Sequence, residues 1–129
     1  FLTLGWDEWV LSEINTFPNR IGAISPYLGG IEYVSCPLVT ARWIEVVGWM
    51  ANPKAYHFCW DTIVELLAEP TKLVYATKEQ FAISHPNHSS MNLKGHFERD
   101  VRSFFFWTIG ERRRLIAKLR EAMGGVCHK

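Results

Sequence analysis

The 129-residue sequence lacks the short motifs by which most self-contained enzymes are recognised. It has no glycine-rich phosphate loop, no G-x-S-x-G, no H-E-x-x-H and no Asp-x-Asp. These motifs supply phosphate cradles, activated serines and metal sites. A self-contained kinase, hydrolase or metalloprotease is therefore not expected.

Cysteines and long apolar runs are also scarce. Cys36, Cys59 and Cys127 are odd in number and widely spaced, with no C-x-x-C pair, which argues against a disulfide scaffold and a zinc knuckle. Reduced thiols in a cytoplasmic protein are the prediction. No apolar run approaches the roughly 20 residues of a membrane-spanning helix, so no transmembrane segment is expected.

The composition is that of a folded domain, with 48% apolar and 14% aromatic residues. The net charge of +1 hides an asymmetry, because residues 1–91 carry −4 and residues 92–129 carry +5. The basic excess centres on Arg112, Arg113, Arg114, Lys118 and Arg120. A basic patch of this kind is suited to an anionic partner. The alternative is that these residues form an ordinary solvated face of a helix.

Apolar spacing and capping residues predict the elements along the chain. A first helix over residues 6–14 stops at Pro18, and a buried strand follows over 21–25. An extended stretch over 32–39 leads to a helix over 41–47, capped by Thr40 and ended by Gly48. Asp61 is expected as the N-cap of a helix over 62–68, with further strands over 72–76 and 80–84.

A polar loop over 85–95 separates these elements from a helical tail. Thr108 and Glu111 have capping-box spacing, and the helix that follows has an apolar stripe expected opposite the arginines: Leu115, Ile116, Leu119 and Met123. The predicted fold class is α/β, with a small mixed sheet flanked by helices. The α/β portion spans residues 1–91, and a basic helical tail, residues 92–129, packs on it.

Two places have residues suited to chemistry. Asp61 at a helix start is favoured in its ionised form by the helix dipole, and in a cleft it could take a proton from a hydroxyl; the alternative is plain capping. His85 and His88, three residues apart after a strand, could hold a divalent metal. The alternative is a structural or incidental pair, because no third ligand has a fixed spacing.

The order of several short motifs resembles the second half of a nucleotide-sugar glycosyltransferase of the GT-A fold, family 2-like. The motifs are Gly5-Trp6-Asp7, Ile21-Gly22-Ala23-Ile24-Ser25-Pro26, Cys36-Pro37-Leu38-Val39-Thr40-Ala41-Arg42-Trp43, Gly48-Trp49, His57-Phe58-Cys59-Trp60-Asp61 and His85-Pro86-Asn87-His88. The family's Asp-x-Asp is absent. The nucleotide-binding half that the family has before the position of Gly5 is also absent. Trp60-Asp61 stands where many relatives have Glu-Asp.

The resemblance implies roles for five residues. Asp61 corresponds to the catalytic base that deprotonates an acceptor hydroxyl, and His85 or His88 to a histidine that completes the coordination of Mn²⁺ or Mg²⁺. Trp49 and Trp60 are candidates to stack on a sugar face. The ligands implied are a nucleotide sugar and a hydroxyl acceptor.

Under this hypothesis the chain is an acceptor-side portion of a larger domain, and on its own it need not be an active enzyme. Uncovered sheet edges would then favour self-association into a homo-oligomer. The competing hypothesis is a non-catalytic binding or assembly module that uses the basic helix. A metal-dependent enzyme of another class is the third possibility.

Overall fold

A computed structural model of the chain describes residues 3–29, 36–50, 60–68, 70–84 and 109–124. The elements, in chain order, are α1 (Trp6–Thr16), β1 (Gly22–Ser25), β2 (Leu38–Val39), α2 (Ala41–Val47), α3 (Trp60–Ala68), β3 (Lys72–Tyr75) and α4 (Ile109–Ala122). A short 3-10 turn, Pro18–Arg20, joins α1 to β1.

The three strands form one mixed sheet in the order β2-β1-β3. β1 pairs antiparallel with β2 and parallel with β3, so that Ile24 lies opposite both Leu38 and Val74. A parallel pair needs a crossover connection, and here that connection contains α2 and α3. The predicted small mixed sheet flanked by helices is confirmed. This architecture alone does not show a GT-A fold, so the GT-A resemblance stays a prediction.

Alternation along β1 divides the core into two clusters, one on each face of the sheet. Ile21 and Ala23 pack with residues of α2, α3 and α4 in one cluster. Ile24 packs in the other cluster with α1, through Val10, and with Phe17 and Phe81. All four residues of β1 are buried, as expected for a central strand with helices on both faces.

The second helix follows its capping signals. Thr40 Oγ1 accepts a hydrogen bond from the amide of Trp43 at 3.2 Å, which satisfies one of the free N–H groups of the first turn of α2. Gly48 ends α2 in the left-handed region, with φ of 93°. The predicted helices over 6–14 and 41–47 are confirmed, as is the strand over 21–25.

The last helix is tied to the rest of the fold at its C-terminal end. The side-chain amide of Asn19 donates to the carbonyl oxygen of Ala122 at 2.9 Å, one of the four terminal carbonyls that a helix leaves without an internal partner. Leu115, Ile116 and Leu119 are buried in the same cluster as α2 and α3. The predicted apolar stripe of this helix is therefore confirmed.

Two expected elements differ in the structure. Residues 80–84 do not form a strand, because after Tyr75 a turn over 78–80 leaves only a single parallel bridge between Tyr27 and Ala82. α3 begins at Trp60, so Asp61 lies in the first turn and is not the N-cap. The predicted boundary between residues 91 and 92 lies outside the described residues.

The membrane expectation has a direct structural counterpart. In the part of the chain that the structure describes, no helix combines the length and the apolar character that crossing a bilayer requires.

Candidate functional site

A cleft of about 400 Å³ lies where the parallel strands β1 and β3 end. One wall is formed by residues 27–29, which follow β1, and the other by Lys78 and residues 82–84, which follow β3. The carboxyl ends of parallel strands are where open α/β sheets bind their ligands. The cleft is therefore the candidate functional site.

Backbone hydrogen bonds join the two walls. The amide of Tyr27 donates to the carbonyl oxygen of Phe81 at 2.8 Å, and the Tyr27 carbonyl accepts from the amide of Ile83 at 3.1 Å. At the ends of the strands themselves, the amide of Ala76 donates to the carbonyl oxygen of Ser25 at 2.9 Å. Parallel pairing thus resumes beyond the strands and fixes the distance between the walls.

The turn that carries Lys78 is held by side chains on both of its ends. The Gln80 side-chain oxygen accepts from the amide of Thr77 at 2.9 Å, as in one half of a capping box. The hydroxyl of Thr3 donates to the Lys78 carbonyl oxygen at 3.0 Å and accepts from the Ala82 amide at 2.9 Å. One hydroxyl therefore bridges the two ends of this segment.

The chemistry of the cleft combines one positive charge with a mostly apolar surface. Lys78 is the only charged side chain among the described residues that line it. The Tyr27 phenol and the Ser84 hydroxyl are the other polar side chains, and Leu28 and Ile83 contribute half-buried apolar surface. Such a cleft can position a small molecule and balance a negative group on it.

Asp61 is half-buried in the first turn of α3. A tight turn joins the end of α3 to β3, and in it the Thr71 amide donates to the Ala68 carbonyl oxygen at 2.8 Å. From this turn we infer that the first turn of α3 lies toward the carboxyl ends of the strands. A hydrogen bond between the side chains of Glu65 and Tyr75, the last residue of β3, supports this direction. Asp61 stands one turn before Glu65. It is not among the described residues that line the cleft.

The Tyr75 phenol is perturbed by these surroundings. Partial burial, the negative charge of Glu65 and the hydrogen bond to Glu65, in decreasing order, raise the pKa of Tyr75 above its ordinary value of 10.0. Each cause favours the neutral phenol over the phenolate. The pair keeps the end of β3 against the middle of α3.

The other predicted site residues are not brought together within the described part of the chain. Trp49 packs half-buried against the core cluster of α2, α3 and α4, away from the residues that line the cleft. Trp60 is the first residue of α3, and its side chain lies outside what the structure describes. His85 and His88 fall outside the described residues. The stacking and metal-binding roles stay predictions.

The described residues contain no cluster of three or more His, Cys, Asp or Glu side chains that could hold an ion. The predicted Mn²⁺ or Mg²⁺ site at His85 or His88 lies outside the described residues, and it stays a prediction.

The three consecutive arginines do not share one face of α4. Arg113 and Arg114 are exposed, whereas Arg112 is half-buried with its Nε atom buried. Its Nη2 atom lies 3.5 Å from the carbonyl oxygen of Leu66 near the end of α3, where a positive charge complements the helix dipole. The apolar stripe of this helix was expected opposite the arginines, and that expectation is wrong for Arg112.

Helical spacing explains this difference. Arg112 stands three, four and seven residues before Leu115, Ile116 and Leu119, which places it on the buried face of the helix. The exposed basic face consists of Arg113, Arg114, Lys118 and Arg120. The sequence contained this signal, because the apolar stripe, extended by one turn, reaches Arg112.

Sequence reasoning missed the residues that line the cleft. Tyr27, Lys78 and Ser84 are single polar residues in loops, and none belongs to a motif. They come together because β1 and β3, 50 residues apart in the chain, pair in parallel. The available signal was the tendency of open α/β sheets to bind ligands at the carboxyl ends of parallel strands, and using it required the strand order first.

Comparison with known proteins adds no relative: no family model matches the chain, no curated protein matches it in sequence, and no solved structure matches it. The glycosyltransferase resemblance therefore depends on the order of the sequence motifs alone.

Proposed function

We propose that the chain is a portion of a glycosyltransferase-like domain that transfers a sugar from a nucleotide-sugar donor to a hydroxyl acceptor. The single observation that carries the proposal is the cleft at the carboxyl ends of β1 and β3. In this proposal the acidic first turn of α3, which contains Asp61, lies toward the same edge of the sheet. In this proposal the cleft takes the acceptor, and the domain works in the cytoplasm with reduced thiols.

The proposed chemistry needs one base. The Asp61 carboxylate removes the proton of the acceptor hydroxyl as that oxygen attacks the anomeric carbon. A carbon–oxygen bond to the acceptor forms, and the bond from the anomeric carbon to the diphosphate oxygen breaks. The electron pair of that bond leaves with the nucleoside diphosphate. A divalent metal at His85 or His88 would supply positive charge to the leaving diphosphate.

In this proposal Asp61 acts as a base from outside the cleft wall. The positive end of the α3 dipole favours its ionised form, which is the form that accepts a proton. Its half-buried side chain lies outside the wall of the cleft, so the acceptor hydroxyl would extend from the cleft toward α3.

A transfer assay tests the proposal. The full chain is incubated with Mn²⁺, a panel of isotopically labelled nucleotide sugars and a panel of hydroxyl acceptors, and glycoside products are detected by mass spectrometry. We expect a product that carries the label, formed at least about a hundredfold more slowly by Asp61→Asn, because a positioned base contributes roughly that factor. Glu65→Gln, one turn along the same helix, is the matched control. Absence of product from every donor would contradict transfer by this chain as it stands. An unchanged rate in Asp61→Asn would contradict the role of Asp61 as the base.

A second candidate function is supported by the exposed basic face of α4. Arg113, Arg114, Lys118 and Arg120 are exposed, while the opposite face of the helix is anchored in the core. A rigid helix with four surface cations is suited to a polyanion or an acidic partner. This candidate needs neither Asp61 nor the cleft.

Salt dependence tests this second candidate. Binding to a fluorescent polyanion is expected to weaken steeply with added salt, because cations that neutralise phosphates release counterions. Replacing Arg113, Arg114 and Lys118 by Gln should abolish most of the binding. A salt-independent interaction, or none, would count against it.

A further inference from the structure

We infer that the cleft binds a small molecule that carries a negatively charged group, a carboxylate or a phosphate, on a weakly polar body. The inference deepens the proposed function. It rests on that function only for the identity of the ligand as a sugar acceptor. The binding site itself is argued from the residues that line the cleft.

The charge of the cleft is the first step. Lys78 is the only charged side chain among the described residues of its walls. The described residues form ion pairs at Arg42–Glu45 and at Lys72–Glu13, and none of these involves Lys78. An exposed lysine in the wall of a cleft that is in none of these described ion pairs is complementary to an anion.

The rigidity of the lysine's backbone is the second step. Thr3 ties the carbonyl of Lys78 and the amide of Ala82 to one hydroxyl, and Gln80 closes the turn that contains the lysine. The opposite wall is held by the bridge between Tyr27 and Ala82. A ligand therefore meets walls that are already ordered, which reduces the entropic cost of binding.

The size and the surface of the cleft are the third step. A volume of about 400 Å³ falls within the range of small-molecule sites, about 300–1,000 Å³, and exceeds what a bare phosphate ion would fill. Leu28, Ala82 and Ile83 are apolar residues of the walls, and Tyr27 and Ser84 are wall residues with hydroxyl side chains that can hydrogen-bond. The charged group is placed at Lys78 and the body of the ligand between the two walls.

Matched pairs of ligands test the inference by calorimetry on the full chain. Phenyl phosphate is compared with phenol, and methyl glucuronide with methyl glucoside, since each pair differs mainly in the charged group. We expect the charged member to bind about five- to tenfold more tightly, a modest gain because Lys78 is exposed to solvent. Lys78→Gln should remove this preference. Lys118→Gln, an exposed lysine on α4, should leave it unchanged.

The outcomes separate this inference from the proposed function. If phenyl phosphate shows the Lys78-dependent preference and neither sugar binds, the anion site stands and the sugar acceptor fails. If both sugars bind equally well and Lys78→Gln changes nothing, the sugar site stands and the inference is overturned. Equal affinities within both pairs, or binding of none of the four ligands, also overturn it.

Discussion

Tyr27 and Ala82 face each other in a single parallel bridge beyond the ends of β1 and β3. The backbone of Tyr27 donates to Phe81 and accepts from Ile83, so that one residue on the first wall is bonded on both sides of its partner on the second. This bridge separates the sheet from the cleft. The shape of the candidate site therefore depends on a short contact between two loops.

The hydroxyl of Thr3 is predicted to stabilise the cleft wall. Thr3→Val keeps the shape of the side chain but leaves the Ala82 amide without its described acceptor and the Lys78 carbonyl without its donor. We expect a loss of about 1–2 kcal/mol in the free energy of unfolding, and faster hydrogen exchange of the Ala82 amide. Thr62→Val, at an exposed position on α3, is the control and should leave that exchange rate unchanged. An unaltered Ala82 exchange rate in Thr3→Val would contradict the role of this hydroxyl.

Gly22 is predicted to be intolerant of any side chain. A methyl group added at Gly22 would lie 2.7 Å from the carbonyl oxygen of Lys72 and would overlap the Phe17 ring. Because the carbonyl belongs to the paired strand β3, the backbone itself must move, and we expect Gly22→Ala to cost about 3 kcal/mol of stability. Gly5→Ala is the comparison, since Gly5 has φ of 73° but open space around it. Its cost should be about 1 kcal/mol. Urea denaturation that ranks the two variants equally would refute the argument from close packing.

Local signals predicted the first half of the fold well. The apolar spacing of α1, and the Thr40 and Gly48 signals around α2, act over a few residues, and each has a direct counterpart in the structure. The strand expected over 80–84 was wrong. Phe81 and Ile83 are apolar residues that pack in the cluster with α1, and such packing does not require them to lie in a strand.

The candidate site was predictable only in part. The helix that contains Asp61 was predicted because a helix start can be recognised locally, although α3 begins at Trp60, and the role of Asp61 stays a prediction. Tyr27 and Lys78 were not identified, since their proximity follows from the parallel pairing of β1 with β3. Long-range pairing depends on the whole core, and a single sequence carries little local signal for it.

The arginines of α4 are predicted to differ in their contribution to stability. Arg112→Ala removes a half-buried side chain that contacts the last turn of α3, and we expect a loss of about 2 kcal/mol in the free energy of unfolding. Arg113→Ala, on the exposed face, should stay within about 0.5 kcal/mol. Denaturant melts of the two single variants check this. Equal losses would show that Arg112 does not belong to the buried face.

Tyr75 is predicted to titrate at higher pH than a free tyrosine. Burial and Glu65 raise its pKa above 10.0, so folding favours the neutral phenol. The stability that this gives is fully present below about pH 10 and is lost as the pH rises through the raised pKa. Ultraviolet difference titration should show a lower Tyr75 pKa in Glu65→Gln, because that variant removes the negative charge. A Tyr75 pKa that does not move in Glu65→Gln would rule out the coupling.

The position of bound ligand tests the central claim most directly. Amide chemical shifts of the isotopically labelled chain are followed as methyl glucuronide and phenyl phosphate are added in separate titrations. The cleft predicts that the largest shifts fall on residues 27–29, Lys78 and residues 82–84, with a second set near Asp61 for the sugar. Shifts confined to the exposed basic face of α4, at Arg113, Arg114 and Lys118, would contradict a functional site at the carboxyl ends of β1 and β3.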